Sequence, residues 1–584
     1  MAQSEERVSF RASVALLKTY LKPQWLKVSL LALLLFASLG LEILAPQLLG
    51  RFIDSIQGSM AVLMYLALFF IGLVIANQLV TAFAGYISED ISWKATNALR
   101  TDLALHCLNL DMSFHKKHTP GELIERVDGD VAQLSTFFSR FVFSVLARVL
   151  LLIGVVALTF AVDWRIGLLL LAFTLLMIGL LRPLQGIAVP HFRAARQASA
   201  EFAGFLEERI SSREDIVGNG AQAYVMLRLS QLARRMLHTA RLSSVTGLFF
   251  SSAIEITLAL AVAAVLTLGA YLLRGGQMSV GTIYVTYYYT TLITQSLYAI
   301  TYQIDQLQSA TASIQRITEL AHMPRAIVDG PGVPLPEGPL AVRFNDVSFG
   351  YTPDKEVIQH LSFALEAGRT LGLLGRTGSG KTTLTRLLAR AYDVQQGAIR
   401  LGGVDVRQAT LDELRSQIGV VTQEVQLFHA SLRDNLTFFD PGISDERLEQ
   451  VIENLNLGQW YASLPAGLDT RLAGDGMALS SGEAQLLAFA RVFLRDPALV
   501  ILDEASSRLD PVTEQLLEGA IARLLAGRTG IVIAHHLKTV QHVDDILILE
   551  DGKICEYGER AKLAADPNSR FAHLLKTGLA EVVA

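Results

Sequence analysis

The chain has 584 residues, 51% of them hydrophobic and 18% charged, with a net charge of −5 and a mean hydropathy of +0.38. Charged residues make up about a quarter of an ordinary soluble protein, so this balance excludes a single soluble domain and points to a membrane protein. No basic excess suggests nucleic acid as a partner, and two distant cysteines, Cys107 and Cys555, supply no disulfide framework and suit a reducing compartment.

Residues 1–25 read as a cytoplasmic and interfacial segment. The first ten are polar and lack the short apolar core of a cleaved signal peptide. Residues 11–22 form an amphipathic stretch suited to the membrane surface. Residues 26–322 then form an all-α membrane domain. Six apolar segments, near 26–50, 60–86, 137–162, 164–186, 245–272 and 280–304, are each long enough to cross about 30 Å of hydrocarbon.

Lys and Arg set the orientation. Arg7, Arg11, Lys18, Lys22 and Lys27 precede or open the first segment. Lys94, Arg100, Lys116, Lys117 and Arg126 follow the second, and nine arginines lie between Arg182 and Arg241. The other connections offer Arg51, Arg165 and Arg274. Both termini and the two long connections are therefore expected in the cytoplasm, in a multi-pass protein of the plasma (inner) membrane. Residues 60–119 contain no proline and would span roughly 90 Å as one helix. Helices two to five are thus expected to project into the cytoplasm, with turns near residues 112–123 and 211–220.

Charges inside the spans are functional candidates. Glu42, Arg148 and Glu255 read either as a cavity for a charged or amphiphilic substrate or as internal pairing and snorkelling. Helix six carries Tyr284, Tyr287, Tyr288, Tyr289, Tyr298 and Tyr302, of which Tyr287 and Tyr298 are candidates to line a substrate path. They also suit packing or interface anchoring. His106, Cys107, His115 and His118 lie close together but lack a metal-ligand spacing.

Prolines crowd into residues 323–340, which read as an extended linker. Residues 341–584 read as an α/β domain. Residues 341–349 alternate like a half-exposed strand. Thr370-Leu371-Gly372-Leu373-Leu374 is a buried strand, followed by Gly375, Arg376, Thr377, Gly378, Ser379, Gly380, Lys381, Thr382 and Thr383, which fit G-x-x-x-x-G-K-S/T without mismatch. A helical run follows. Strand, glycine loop and helix together make a phosphate-binding loop: backbone N–H groups converge on one phosphate chain, Lys381 reaches the β/γ-phosphates and Thr382 offers a hydroxyl to Mg²⁺. A second apolar strand, residues 498–502, ends in Asp503-Glu504, where a Mg²⁺-nucleotide site needs carboxylates. A third, residues 530–534, ends in His535-His536, and residues 546–552 read as a hairpin.

The order Tyr351, the phosphate loop, Gln423, Leu479-Ser480-Ser481-Gly482-Glu483, Leu502-Asp503-Glu504, Asp510 and His535 resembles an ABC-transporter ATPase domain. With six spans before it, the chain resembles a half-transporter of the ABC exporter family. The resemblance implies ATP and Mg²⁺ as ligands, a second half-transporter as partner, and export or flipping of a small amphiphilic substrate across the lipid bilayer. Some members with this layout import metal chelates, and an ATP-gated regulator or channel is a further alternative. By the resemblance, Tyr351 stacks on adenine. Thr382, Gln423 and Asp503 hold Mg²⁺, Glu504 is the general base, His535 contacts the γ-phosphate and Asp510 lies in the adjoining loop.

The signature segment departs from the family's Leu-Ser-Gly-Gly-Gln at Ser481 and Glu483. In the family this segment closes over ATP held by the partner. Ser restricts the backbone relative to Gly, and Glu brings negative charge towards a polyphosphate. With Glu504 and His535 intact, the combination implies one half of a heterodimer whose partner carries an intact signature.

Overall fold

The computed structural model describes residues 18–136, 143–352, 354–422, 425–472, 479–503, 511–534 and 540–577. It divides into two compact units. One comprises Met1–Leu108 with Pro120–Met323, and the other Asn109–Thr119 with Pro324–Ala584.

The first unit is built from six long helices: α1 (Trp25–Asp54), α2 (Met60–Leu108), α3 (Phe143–Val162), α4 (Trp164–Ser211), α5 (Gln222–Arg274) and α6 (Val280–Ala321). Five helices among the described residues, matching α1 to α5, are long and apolar enough to cross a membrane. Leu33, Leu68, Leu79, Leu175 and Leu260 stay more than 60% exposed, as side chains meeting lipid tails would. At 1.5 Å per residue, α2, α4 and α5 run about 70–80 Å, far beyond the hydrocarbon thickness.

The sixth helix differs in composition, being rich in Tyr, Thr and Gln, and part of it is enclosed by the bundle. Tyr289, Thr290, Ile293, Ser296 and Leu297 on α6 are buried. Its threonines satisfy themselves: Thr286, Thr290 and Thr294 each donate to the carbonyl four residues earlier, at 2.8, 2.9 and 3.0 Å. A hydroxyl bonded to its own helix adds no unsatisfied donor to an apolar bundle.

The proline-free run from Met60 stops at Leu108, short of the 60-residue helix that the sequence allows. Asp111 has an extended backbone ahead of a short helix, Met112–Lys117. Its carboxylate accepts from Ser113 Oγ at 3.2 Å and from Ala326 N at 3.1 Å, which draws the chain out of helical geometry.

Glycine sets one helix crossing. A Cβ on Gly281 would overlap the carbonyl oxygen of Gly50, and one on Gly50 would lie 2.6 Å from Val285 Cγ2. The C-terminal end of α1 and the N-terminal end of α6 therefore meet backbone to backbone, as small residues permit. The corner is closed by Asp54, which accepts from Gly281 N at 2.7 Å and Ser279 Oγ at 2.6 Å.

The second unit holds two sheets. One is antiparallel, in the order β2 (Ile358–Leu365), β1 (Val342–Phe349), β4 (Gln396–Leu401), β5 (Val404–Asp405). In β1 the alternation breaks at a bulge after Phe344, where Asp346 takes φ +49°. The other sheet runs β10 (Lys553–Glu559), β9 (Asp545–Glu550), β3 (Thr370–Gly375), β8 (Thr529–Ile533), β7 (Leu499–Asp503), β6 (Ile418–Val421). All its pairings are parallel except β9–β10. That hairpin turns through Asp551 and Gly552, both at positive φ, which the Asp-Gly pair supplies. The proline-rich stretch packs on this unit: Leu335 and Leu340 are buried in its core, and Gly330 N and Gly332 N donate to Ala409 O and Gln408 O.

Replacing Gly281 with Leu forces the α1–α6 crossing apart. The expected cost is about 2 kcal/mol, read as a lowered thermal midpoint of the purified protein. An unchanged midpoint would show that the crossing adapts freely.

Candidate functional site

The phosphate loop forms where a fully buried strand meets a helix. Every residue of β3 is buried, which fixes the position of Gly375. The loop then needs backbone conformations that side chains resist: Gly378 is at φ +85° and Gly380 at φ +106°. Gly380 caps α7 (Lys381–Leu388), whose first amides face the loop. Lys381 is 6% exposed, and its Nζ donates to Gly375 O at 2.6 Å and Arg376 O at 3.0 Å. Ser379 Oγ is buried without a hydrogen-bond partner among the described residues. A buried cation held by loop carbonyls and an orphaned hydroxyl beside them fit a phosphate chain. Thr382 is exposed at the start of α7.

Sheet register brings a carboxylate to this level. Asp503 pairs with Ile533 across β7–β8, and Ile533 pairs with Leu373 across β8–β3. Asp503 thus ends its strand in the same row as the residues just before Gly375, at the carboxyl edge where parallel sheets bind ligands. The oxygens of Thr382 and Asp503 are a donor set that suits Mg²⁺. Gln423, Glu504, Asp510 and His535 lie outside the described residues.

Tyr351 is half-buried. Its hydroxyl lies 3.1 Å from Thr383 Oγ1, and Arg386 Nη1 donates to it at 3.5 Å. Phe349 and Tyr392 pack edge-on against its ring at 5.2 Å. Burial pushes the Tyr392 phenol up, with Tyr351 and Asp111 adding to the shift and Arg386 opposing it.

The signature segment opens α8 (Ser481–Arg495). Ser480 is its N-cap: Glu483 N donates to Ser480 Oγ at 3.3 Å, and Ser480 N donates to Glu483 Oε2 at 2.7 Å. This is a capping box. Glu483 turns its charge back on its own helix start, where a carboxylate is favoured. Ser481 begins the helix, so its backbone needs no conformation reserved for Gly. Leu479 packs on the hydrophobic core and Gly482 is buried.

Arg491, absent from the motifs, ties α8 to the segment after residue 424. It donates to Asn435 O at 2.6 Å, Gln426 O at 3.0 Å and Asn435 Oδ1 at 3.1 Å, and lies 4.7 Å from the Phe438 ring centre. These partners are carbonyl oxygens, and burial pulls the guanidinium below its ordinary pKa. The signal was present in the sequence: Arg491 interrupts an otherwise apolar run from Ala488 to Val492.

In the helical unit, Glu42 and Arg148 come together at 3.4 Å. Glu255 is exposed on α5, and Tyr287 and Tyr298 on α6 are 40% and 48% exposed. The buried Tyr289 accepts from Gln47 Nε2 at 3.0 Å and donates to Ile43 O at 3.1 Å; Gln47 carried no signal in the sequence.

Residues 28–297 match the family described as ABC transporter transmembrane region, and residues 358–507 match the family described as ABC transporter. The chain is 31% identical over 471 residues to a fatty acid ABC transporter ATP-binding/permease protein of Mycobacterium tuberculosis, covering 80% of this chain and 74% of that one. It is 29% identical over 524 residues to an ATP-dependent lipid A-core flippase of Idiomarina loihiensis, covering 87% and 88%. A solved bacterial Atm1-family ABC exporter with ATP bound shares the fold, with a TM-score of 0.78, 24% identity and coverage of 96% of this chain and 99% of that one.

Arg491→Met removes three hydrogen bonds and leaves buried carbonyls unpaired. A loss of about 2–3 kcal/mol is expected, seen as a lower thermal midpoint of the full-length protein. A midpoint within error of the parent would overturn the structural role given to Arg491.

Proposed function

The chain belongs to the ABC transporter family, as an exporter-type half-transporter whose ATPase domain couples ATP hydrolysis to transport, and we propose that it moves an amphiphilic, lipid-like substrate as one half of a dimer with a different chain. The observation that carries the ATP-driven part of this reading is the phosphate loop, with its buried Lys381 and the orphaned Ser379 hydroxyl, in line with Asp503.

The adenine stacks on Tyr351. The phosphates replace the carbonyls of Gly375 and Arg376 as partners of Lys381, and the loop amides and Ser379 supply further donors. Thr382, Gln423 and Asp503 would hold Mg²⁺, which would supply positive charge against the phosphates. Glu504 positions and deprotonates the attacking water, and His535 stabilises charge developing at the γ-phosphate. ATP draws two such domains together, and hydrolysis releases them.

Two relatives support a lipid-like cargo through their names, a lipid A-core flippase and a fatty acid transporter. The exposed Tyr287 and Tyr298 offer amphipathic rings on α6, and Glu42, Arg148 and Glu255 offer charge for a polar headgroup. The unlike partner is argued from Ser481 and Glu483. Both fit their own helix, so their effect falls on what the signature offers across the dimer, where a carboxylate stands in place of an amide.

Glu504→Gln is expected to lower ATP turnover at least about 100-fold while leaving ATP binding intact; retained turnover would remove Glu504 as the base. The chain purified without a partner is expected to hydrolyse ATP slowly and without stimulation by lipid. Brisk lipid-stimulated turnover would make it a homodimer.

A further inference from the structure

Asn109–Thr119 joins two helices of the membrane unit yet packs as part of the nucleotide-binding unit. Phe114 is its anchor, 6% exposed, and the Asp111 carboxylate is tied to Ala326 N. The short helix that carries Phe114, Met112–Lys117, also delivers Lys116, whose Nζ lies 4.2 Å from the centre of the Tyr351 ring. An ammonium at that distance over an aromatic face is a cation–π contact.

The same ring is fixed elsewhere by residues of its own unit. Its hydroxyl meets Thr383 Oγ1 on the helix of the phosphate loop, and Phe349 and Tyr392 hold it from the side. One side chain therefore connects the first cytoplasmic turn with the phosphate-loop helix: Lys116 touches the Tyr351 face, and the Tyr351 hydroxyl touches Thr383.

We propose that Lys116 is a positioning residue for nucleotide binding, holding one face of Tyr351 so that the opposite face is presented to the base. The inference rests on the reading of Tyr351 as the adenine platform. Its physical content is twofold. The contact restricts the ring before ATP arrives, so less ordering is left to be done on binding. It also links ATP occupancy to the turn between α2 and the segment that follows, because any shift of the ring on stacking is felt at Lys116. Lys116 touches neither phosphate nor base in this scheme and acts only through Tyr351.

The test uses the full-length chain in the dimer it forms, reconstituted in lipid nanodiscs, with ATP as the probe. Equilibrium ATP binding and the KM and kcat of ATP hydrolysis are measured for Lys116→Met, Lys116→Arg, Tyr351→Leu and the double variant Lys116→Met with Tyr351→Leu. Lys116→Met keeps length and loses charge. It should weaken ATP binding and raise KM roughly three- to tenfold, the range of one cation–π contact, with kcat within about twofold of the parent. Lys116→Arg should restore binding to within about twofold, because a guanidinium also stacks on Tyr. The double variant should bind ATP no more weakly than Tyr351→Leu alone. Unchanged ATP binding in Lys116→Met, failure of Arg to rescue, or additive losses in the double variant would each overturn the role of Lys116. If Tyr351→Leu itself leaves ATP binding unchanged, the platform reading of Tyr351 fails first, and the inference fails with it.

Discussion

Inside hydrocarbon, an unpaired backbone amide or carbonyl costs several kcal/mol, and the first half of this chain is arranged around that cost. Helices meet it within one segment, and α4 and α5 each carry an apolar stretch long enough to cross hydrocarbon inside a longer helix. Side chains with hydroxyls meet it too. The threonines of α6 return their protons to their own helix, so the most polar of the six helices sits inside the bundle beside Tyr289 and Ile293. Leucines on the outer helices stay exposed instead. In water, burial drives apolar groups inward; here the buried threonines of α6 are satisfied within their own helix, and Tyr289 by Gln47 and Ile43 of α1.

The second unit solves the opposite problem. Its buried parallel strands converge at one edge, and their carboxyl ends release the chain into turns that carry donors and acceptors. Gly375 and Asp503 come from strands separated by β8, and only the register of three strands aligns them. The buried Lys381 is tolerated because loop carbonyls surround its ammonium. An arrangement of this kind is prepared to exchange those carbonyls for phosphate oxygens.

What could be read from the sequence follows from how local each signal is. Residues 375–383 announce themselves because strand, loop and helix are contiguous, and the apolar spans because periodicity does not matter when every face is apolar. The Asp551-Gly552 turn is equally local. Pairings between distant residues left no such trace. Glu42 with Arg148, Asp111 with Ala326 and Lys116 with Tyr351 each depend on chain segments brought together by the fold. The break at Leu108 is marked only by Asn109 and Asp111, two polar residues that also occur within helices. The charge of Glu483 is legible at once, and its position three residues after Ser480 makes it a helix cap as well. That second reading was available in the sequence and concerns geometry only one turn long.

The corner formed by Gly50, Asp54, Ser279 and Gly281 bears on how this bundle can move. Backbone contact leaves no side chain to slide or repack, and a carboxylate clamps the same two helix ends. There, α1 and α6 act as a single strut. A path through the bundle cannot open between them at that end without breaking the clamp. Motion of the bundle at that end therefore has to carry these two helix ends together or give up both hydrogen bonds to Asp54.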